Sequence, residues 1–99
     1  MSVKEILDNV GNMLTDVKSA EYGSPEEAFQ RIATYWTTYL DHKGMLNAKS
    51  PLGITCNDVA MMMVLFKVAR EEFVHKPDNL YDIIGYATLA EVMAENKGE

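Results

Sequence analysis

Cysteine is almost absent from this 99-residue chain, and its scarcity excludes two ways of stabilising a small domain. The single residue Cys56 has no partner for an internal disulfide bond, and one thiol does not make a multi-cysteine zinc site. A hydrophobic core, or assembly with other subunits, must therefore stabilise the fold. A lone cysteine is also typical of a reducing compartment, so we predict a cytoplasmic protein.

Long apolar runs are absent as well. The longest run, VAMMMVLF, has eight residues, whereas a membrane span needs roughly 20. The opening segment MSVKEILDNV is charged and amphipathic, and it lacks the unbroken apolar stretch of a signal peptide. We therefore predict no membrane partner.

Positive charge is scarce and scattered along the chain. Lys and Arg total 9 against 15 Asp and Glu, which gives a formal net charge of −6, and no two basic residues are adjacent. Proteins that grip nucleic acids neutralise phosphates with a basic patch. Nucleic acid is therefore not an expected partner, although a local basic pocket for one small phosphate ligand remains open.

The chain does have apolar residues that recur at spacings of three and four, which is the period of an α-helix. No segment alternates with the period of two that is typical of strands. We predict an all-α, four-helix bundle-like single domain over residues 1–99, with helices at about residues 3–20, 25–41, 56–75 and 79–95.

Capping signals precede all four predicted helices. A Ser, Thr or Asp side chain at such a position accepts a hydrogen bond from a backbone N–H that the first helical turn leaves free. A proline just after the cap favours the helical start, and a proline before it ends the preceding helix. The candidates are Ser2 with Glu5, Ser24 before Pro25, Thr55 with Asp58, and Asp78 after Pro77.

The third predicted helix is apolar on every side from Val59 to Phe66. Such a helix is normally buried all round, and three other short helices are too few to cover it. We therefore predict a homo-oligomer, a dimer or larger, that completes the bundle through this helix. The predicted interface residues are Met61, Met62, Met63 and Phe66.

Two pairs of charged residues flank the short connection EEFVHKP between the third and fourth helices. Lys67 and Arg70 share one helix face, as do Asp78 and Asp82. Because the connection is short, the two helices are expected to be antiparallel neighbours with both pairs near the same end. The hydroxyl of Tyr86 would reach the same polar end.

Two interpretations of this cluster remain open. In the structural one, Asp78 caps the fourth helix, Asp82 favours its positive start, and one or both aspartates pair with Arg70. In the functional one, Lys67 and Arg70 hold phosphate, while Asp78 and Asp82 bind Mg²⁺ or a ribose. An open cavity holding Lys67, Arg70 and Asp82 together would favour ligand binding, and a closed paired network would favour structure.

Two further features of the helices carry predictions. Gly85 lies inside the fourth helix, where glycine costs about 1 kcal/mol relative to alanine, so we expect another helix to approach closely there. The aromatic residues Tyr35, Trp36 and Tyr39 are expected to pack in the core rather than to stack on a nucleotide base.

Three segments carry a family pattern: EYGSPEEAFQRIATYWTTYL, TCNDVAMMMVLFKVAR and DNLYDIIGYATLAEVM. They contain Tyr-Gly-x-Pro, Asp-Val-Ala-x-Met-Met, Lys-x-Ala-Arg and Asp-Asn-x-x-Asp-x-x-Gly-Tyr-Ala, in that order. Over residues 22–93 the chain resembles a group of small phage and prophage proteins of unknown function. This resemblance implies action in the cytoplasm of a host cell.

A more distant similarity is to the MazG-type all-α nucleoside triphosphate pyrophosphohydrolases. Those proteins hold magnesium between Glu-x-x-Glu on one helix and Glu-x-x-Asp on a later one. This chain has no Glu-x-x-Glu, and Asp78 and Asp82 would replace the later pair with a spacing of four.

Two functions follow. The first is nucleotide-related binding, with MazG-like, Mg²⁺-assisted hydrolysis of a phosphoanhydride if the protein is an enzyme. The alternative is a non-enzymatic oligomeric interaction protein that binds or inhibits a host protein. The sequence favours binding of a nucleotide without committing to catalysis.

Overall fold

The computed structural model describes residues 1–15, 24–46 and 53–96, and these residues form four α-helices and no strand. The predicted all-α class is therefore confirmed. The completion of the bundle by other copies of the chain stays a prediction. The helices are α1 (Val3–Leu14), α2 (Pro25–His42), α3 (Cys56–Phe73) and α4 (Pro77–Asn96).

The predicted caps of the first and third helices are confirmed. The Ser2 hydroxyl accepts from the Glu5 N–H at 3.1 Å, and the Glu5 carboxylate accepts in return from the Ser2 N–H at 3.4 Å. Thr55 and Asp58 form the same reciprocal pair at 3.1 and 2.9 Å. Each pair satisfies two backbone donors that the first turn leaves free, so both starting points are fixed locally.

The predicted start of α2 is also confirmed. The Ser24 hydroxyl accepts from the Glu27 N–H at 3.1 Å, and Pro25 is the first helical residue. Proline suits this position because its missing N–H would have had no helical partner.

The prediction that Asp78 caps the fourth helix is wrong. The helix α4 begins at Pro77, so Asp78 lies inside its first turn and is exposed. The fixed φ angle of Pro77 suits the first helical position, as it does at Pro25. A carboxylate in the first turn still complements the positive end of the helix dipole.

Two other boundaries differ from the prediction. The helix α3 ends at Phe73 rather than at residue 75, because Val74 is extended, with φ −154° and ψ 132°. The helix α1 ends at Leu14, and its predicted continuation over residues 16–20 lies outside the described residues.

The centre of the fold is the hairpin of α3 and α4, with α2 packed against α3 and α1 against α4. Cys56 at the start of α3 lies in the same core cluster as Met93 near the end of α4, so these two helices are antiparallel. The buried members of this cluster are Phe29, Ala33, Cys56, Val59, Ala60 and Met93.

The aromatic residues of α2 lie in two environments. Trp36 packs against the core cluster, as predicted. Tyr35 and Tyr39 are exposed, so their placement in the core was wrong. Both tyrosines lie one helical turn apart, on a side of α2 that the core cluster does not cover.

The helix α1 packs against α4 at Gly85, which confirms the prediction of a close helix approach. A Cβ atom added to Gly85 would lie 3.3 Å from Met13 Cε and 3.5 Å from Leu14 Cδ2. A second contact ties the start of α1 to α4, where the Tyr81 hydroxyl donates to Met1 Sδ at 3.0 Å. Glycine therefore lets α1 lie directly against the hairpin.

Candidate functional site

The charged residues predicted to form one cluster are divided by the structure. Lys67 Nζ on α3 lies 2.9 Å from Asp82 Oδ2 on α4. Both side chains are largely covered, with 17% and 27% of their surfaces exposed. This ion pair joins the two helices of the hairpin, and each charge already has its partner.

Arg70 pairs with neither Asp78 nor Asp82, and that part of the prediction was wrong. Its guanidinium carbon lies 5.4 Å from the centroid of the Phe66 ring. Lys67 Nζ lies 5.6 Å from the same centroid. The two cations therefore approach one aromatic ring, but only Lys67 turns towards α4. No ion pair of Arg70 is present among residues 1–15, 24–46 and 53–96.

The two remaining predicted site residues lie apart from this pair. Asp78 is exposed in the first turn of α4 and takes no part in the Lys67–Asp82 contact. The ring of Tyr86 lies 6.0 Å from that of Phe29, tilted by 37°, so it packs against the core. The structure thus joins Lys67 with Asp82 and does not bring all five predicted site residues together at one place.

A groove of about 470 Å³ lies beside Arg70, between the C-terminal half of α3 and Asn79 at the start of α4. Its lining combines apolar side chains with two cations and contains neither Lys67 nor Asp82. It also contains no carboxylate, so the acidic residues of the predicted magnesium site are not part of it. The lining residues include Phe66, Ala69, Arg70, Phe73, Val74 and Lys76.

Glu71, which was not among the predicted site residues, organises the turn between α3 and α4. Its Oε1 atom accepts from the Lys76 backbone N–H at 3.0 Å and from Asn79 Nδ2 at 3.2 Å. Its Oε2 atom is bonded to Nδ1 of His75, which must be the donor because a carboxylate only accepts. Asn79 is buried, and this bond satisfies its amide.

These donors lower the pKa of Glu71 below its ordinary value of 4.5. The hydrogen bond from His75 is the largest cause, followed by the one from the Lys76 N–H. Hydrogen bonds to the charged form of a carboxyl group favour that form. The signal that the sequence offered was the spacing of four between Glu71 and His75, which brings two side chains together near the end of a helix.

From Met62 onwards, an exposed face of α3 carries an apolar stripe. We call it the outer stripe and define it as Met62, Phe66, Ala69 and Phe73. The spacings of four, three and four residues place these side chains on one helix face. Phe73 is 91% exposed and Phe66 is 47% exposed.

The predicted interface residues fall on both sides of α3. Met62 and Phe66 belong to the outer stripe, and Met61 is exposed beside it. Met63 is half-buried and packs against the core cluster, because it lies one turn from Val59 and Ala60. An interface role for Met61, Met62 and Phe66 stays a prediction.

Two kinds of site are absent from the described residues. Within residues 1–15, 24–46 and 53–96, no three His, Cys, Asp or Glu side chains are grouped closely enough to hold a metal ion. No helix in the same ranges combines the length and the apolarity that crossing a bilayer requires.

Comparison with known proteins identifies related sequences. A family model described as a domain of unknown function (DUF6378) matches residues 5–94. The Gene 55 protein of Mycobacterium phage L5 is 36% identical over 90 residues, covering 89% of this chain and 51% of that protein. The Gene 55 protein of Mycobacterium phage D29 is 29% identical over 97 residues, covering 97% of this chain and 58% of that protein.

These matches confirm the resemblance to small phage proteins of unknown function. The similarity to MazG-type enzymes stays a prediction. The chain spans little more than half the length of the relatives from phages L5 and D29. No solved structure matches it.

Proposed function

The chain belongs to the DUF6378 family of domains of unknown function, and from this premise we infer that it is a non-enzymatic interaction protein of a phage. It would act by binding another protein chain through the outer stripe of α3. The alternative function predicted from the sequence, a protein that binds or inhibits a host protein, belongs to the same class.

One observation carries this inference. The helix α3 has large apolar side chains on the side that faces solvent, and Phe73 is almost fully exposed. Single exposed apolar residues are ordinary on protein surfaces, but a continuous stripe of them marks a binding surface. Aromatic and methionine side chains are also enriched where proteins bind one another.

The Lys67–Asp82 pair supports the same inference. A phosphate site needs a cation that is free to accept the ligand, yet Lys67 is held by Asp82 at 2.9 Å and is largely covered. A ligand phosphate at Lys67 would leave the half-buried carboxylate of Asp82 without a partner, which is costly. The pair is therefore best explained as a link between α3 and α4.

A second candidate function is nucleotide binding in the groove beside Arg70. Its lining offers Arg70 and Lys76 for phosphate and the rings of Phe66 and Phe73 for a base. Magnesium stays a prediction tied to this candidate, and hydrolysis would need carboxylates supplied from outside the lining. The cytoplasm of the host cell stays the predicted location for either function.

Calorimetric titration separates the two candidates. The probes are nucleoside mono-, di- and triphosphates and cyclic nucleotides, each with and without magnesium. We expect no heat of binding from the purified protein. Saturable binding that disappears in Arg70→Gln but persists in Arg31→Gln, which changes an exposed arginine of α2, would instead support the nucleotide site.

Photo-crosslinking tests the protein-binding surface without knowledge of the partner. A benzophenone amino acid replaces Phe73 in the outer stripe or, as a matched control, the exposed Tyr39 on α2. After irradiation in bacterial cells that produce the protein, position 73 should give a crosslinked product that contains a second polypeptide, and position 39 should not. Absence of a product at position 73, or equal products at both positions, would contradict the inference.

A further inference from the structure

We propose that a second copy of this chain covers the outer stripe. The two α3 helices then pack antiparallel around a two-fold axis. This proposal rests on the proposed function, because it names the partner of the same surface. The axis would pass between Phe66 and Ala69, at the middle of the stripe.

The spacing of the stripe is the same in both directions. Its members are separated by four, three and four residues, so the order of spacings does not change when one helix is reversed. A two-fold interface uses the same patch on both copies, and this symmetric spacing lets every member of the stripe meet another member across the axis. The spacing is also that of the inward positions of paired helices.

Antiparallel pairing sets large side chains against small ones. With the axis at the middle of the stripe, Phe66 of one copy packs on Ala69 of the other, and the reciprocal contact is identical. Met62 of one copy then packs on Phe73 of the other, a favourable contact between a thioether and an aromatic ring. The groove beside Arg70 would receive Met62 of the second copy.

A parallel pair would fit less well. It would set Phe66 against Phe66 and Ala69 against Ala69, so one layer would be crowded and the next would be empty. Crowding and cavities both reduce stability in packed interfaces. The alternation of large and small residues therefore selects the antiparallel arrangement.

The exposed apolar surface is large enough for a dimer. Side chains as large as phenylalanine carry about 150–250 Å², so the stripe and its exposed neighbours present on the order of 600 Å². The standard protein interface covers about 800 Å² on each partner, of which somewhat more than half is apolar. The exposed neighbours that contribute are Met61, Leu65 and Val74.

The charges along α3 also suit an antiparallel pair. The acidic residue of the first turn, Asp58, would lie beside the connection that holds Lys76 in the other copy. Arg70 lies near the C-terminal end of α3, as Lys76 does, and so faces the N-terminal half of the other α3. The dipoles of the two antiparallel helices also attract one another. The pairing sets neither the two Arg70 side chains nor the two Glu72 side chains opposite each other.

Sedimentation equilibrium over a range of concentrations measures the dimer. The wild-type chain should be a reversible dimer, and Phe73→Glu should raise the dissociation constant at least about tenfold, because a charge replaces an aromatic ring that packs on Met62 of the other copy in two symmetric contacts. Val68→Glu is the control, since it adds the same charge to α3 on another side of the helix. Circular dichroism must show that both variants keep their helical content, and Phe66→Ala provides an uncharged second variant.

Distance measurement between spin labels tests the direction of packing. A label on Asn57→Cys, near the start of α3, would be about 30 Å from its counterpart in the antiparallel dimer, at 1.5 Å for each of roughly 21 residues. A parallel pair would bring the two labels to about 10 Å, the usual distance between packed helices. Labelled wild-type protein serves as the background control, because Cys56 is buried.

The outcomes separate this proposal from the proposed function. A monomer at all concentrations, a dimer unaffected by both stripe variants, or a short label distance would overturn the antiparallel dimer. A crosslink from position 73 to a different polypeptide, with the purified chain monomeric, would overturn the dimer and keep the protein-binding surface. A dimer with the long label distance and a tenfold loss in Phe73→Glu would support the proposal.

Discussion

The two halves of α3 carry apolar side chains in opposite environments. Val59 and Ala60, in the N-terminal half, have no exposed surface and join the core cluster. Phe66 and Phe73 follow Val59 two and four turns later on the same helix face, and both are exposed. Because burial of apolar surface drives folding and association alike, the contrast indicates that the described residues cover only the N-terminal half of this face.

The strongest way to test the contrast is to place the same charge at a buried and at an exposed valine of α3. Val59→Asp puts a carboxylate where the side chain is 0% exposed, and we expect a loss of about 3–5 kcal/mol in the free energy of unfolding. Val68→Asp makes the same change where the side chain is 38% exposed, and should cost less than about 1 kcal/mol. Urea denaturation of both variants measures the difference. Equal losses would contradict the difference in burial between the two positions.

The contact between α1 and α4 is a second place where the described residues cover the hairpin of α3 and α4. Gly85→Leu should displace α1 and cost about 2–3 kcal/mol, since its side chain would occupy the space of Met13 and Leu14. Gly85→Ala should change stability by less than about 1 kcal/mol, because the gain in helix propensity offsets a small movement of Met13.

Hydrogen exchange of the α1 amides, compared with those of α3, is the measurement for Gly85. Faster exchange confined to α1 in Gly85→Leu is the expected result. Protection of α1 that is unchanged in Gly85→Leu would show that α1 does not depend on this contact.

The two cations of α3 can be compared directly, because Lys67 forms an ion pair with Asp82 and Arg70 forms none with a described residue. Lys67→Met leaves the half-buried Asp82 unpaired and should cost about 1–2 kcal/mol in the free energy of unfolding. Asp82→Asn should lower the melting temperature for the same reason. Arg70→Met, which removes no ion pair with a described residue, should change stability by less than about 0.5 kcal/mol.

The double variant Lys67→Met with Asp82→Asn completes the test of this pair. Its loss of unfolding free energy should be smaller than the sum of the losses in the two single variants, because the second change removes a charge that the first has left unpaired. Additive losses in thermal denaturation would contradict a direct contact between the two side chains.

The smallest predicted effect concerns the turn that joins the two helices. The folded state lowers the pKa of Glu71, so its stabilising contribution is present above the unfolded value of 4.5 and is lost as the pH falls through the folded pKa. The melting temperature of the wild-type chain should therefore fall more steeply below pH 4.5 than that of Glu71→Gln. Parallel curves for the two proteins would contradict this role of Glu71.

Much of the helical framework was predictable, because its signals are local. Reciprocal caps such as Ser2 with Glu5 depend on residues three positions apart, and the sequence displays them directly. Gly85 was predictable for a related reason, since glycine inside a helix needs a compensating close approach. The apolar period alone sufficed for the all-α class.

The candidate site was less predictable, because it depends on which side chains meet across helices. Sequence spacing placed Lys67 and Arg70 on one face, but it did not say which of them would turn towards Asp82. Glu71 was missed because its partners belong to a turn whose shape appears only after both helices are placed. The end of α3 and the start of α4 each lie two residues before the predicted position, because the shape of the same turn sets both.

The most direct test of the account is carbene footprinting of the outer stripe at low and at high protein concentration. Labelling of Phe66 and Phe73 should fall as the concentration rises, while labelling of the exposed Tyr35 and Tyr39 stays constant and serves as the internal reference. The same measurement is repeated after addition of clarified cell extract. Constant labelling of Phe66 and Phe73 under all these conditions would contradict the claim that another protein chain covers the outer stripe of α3.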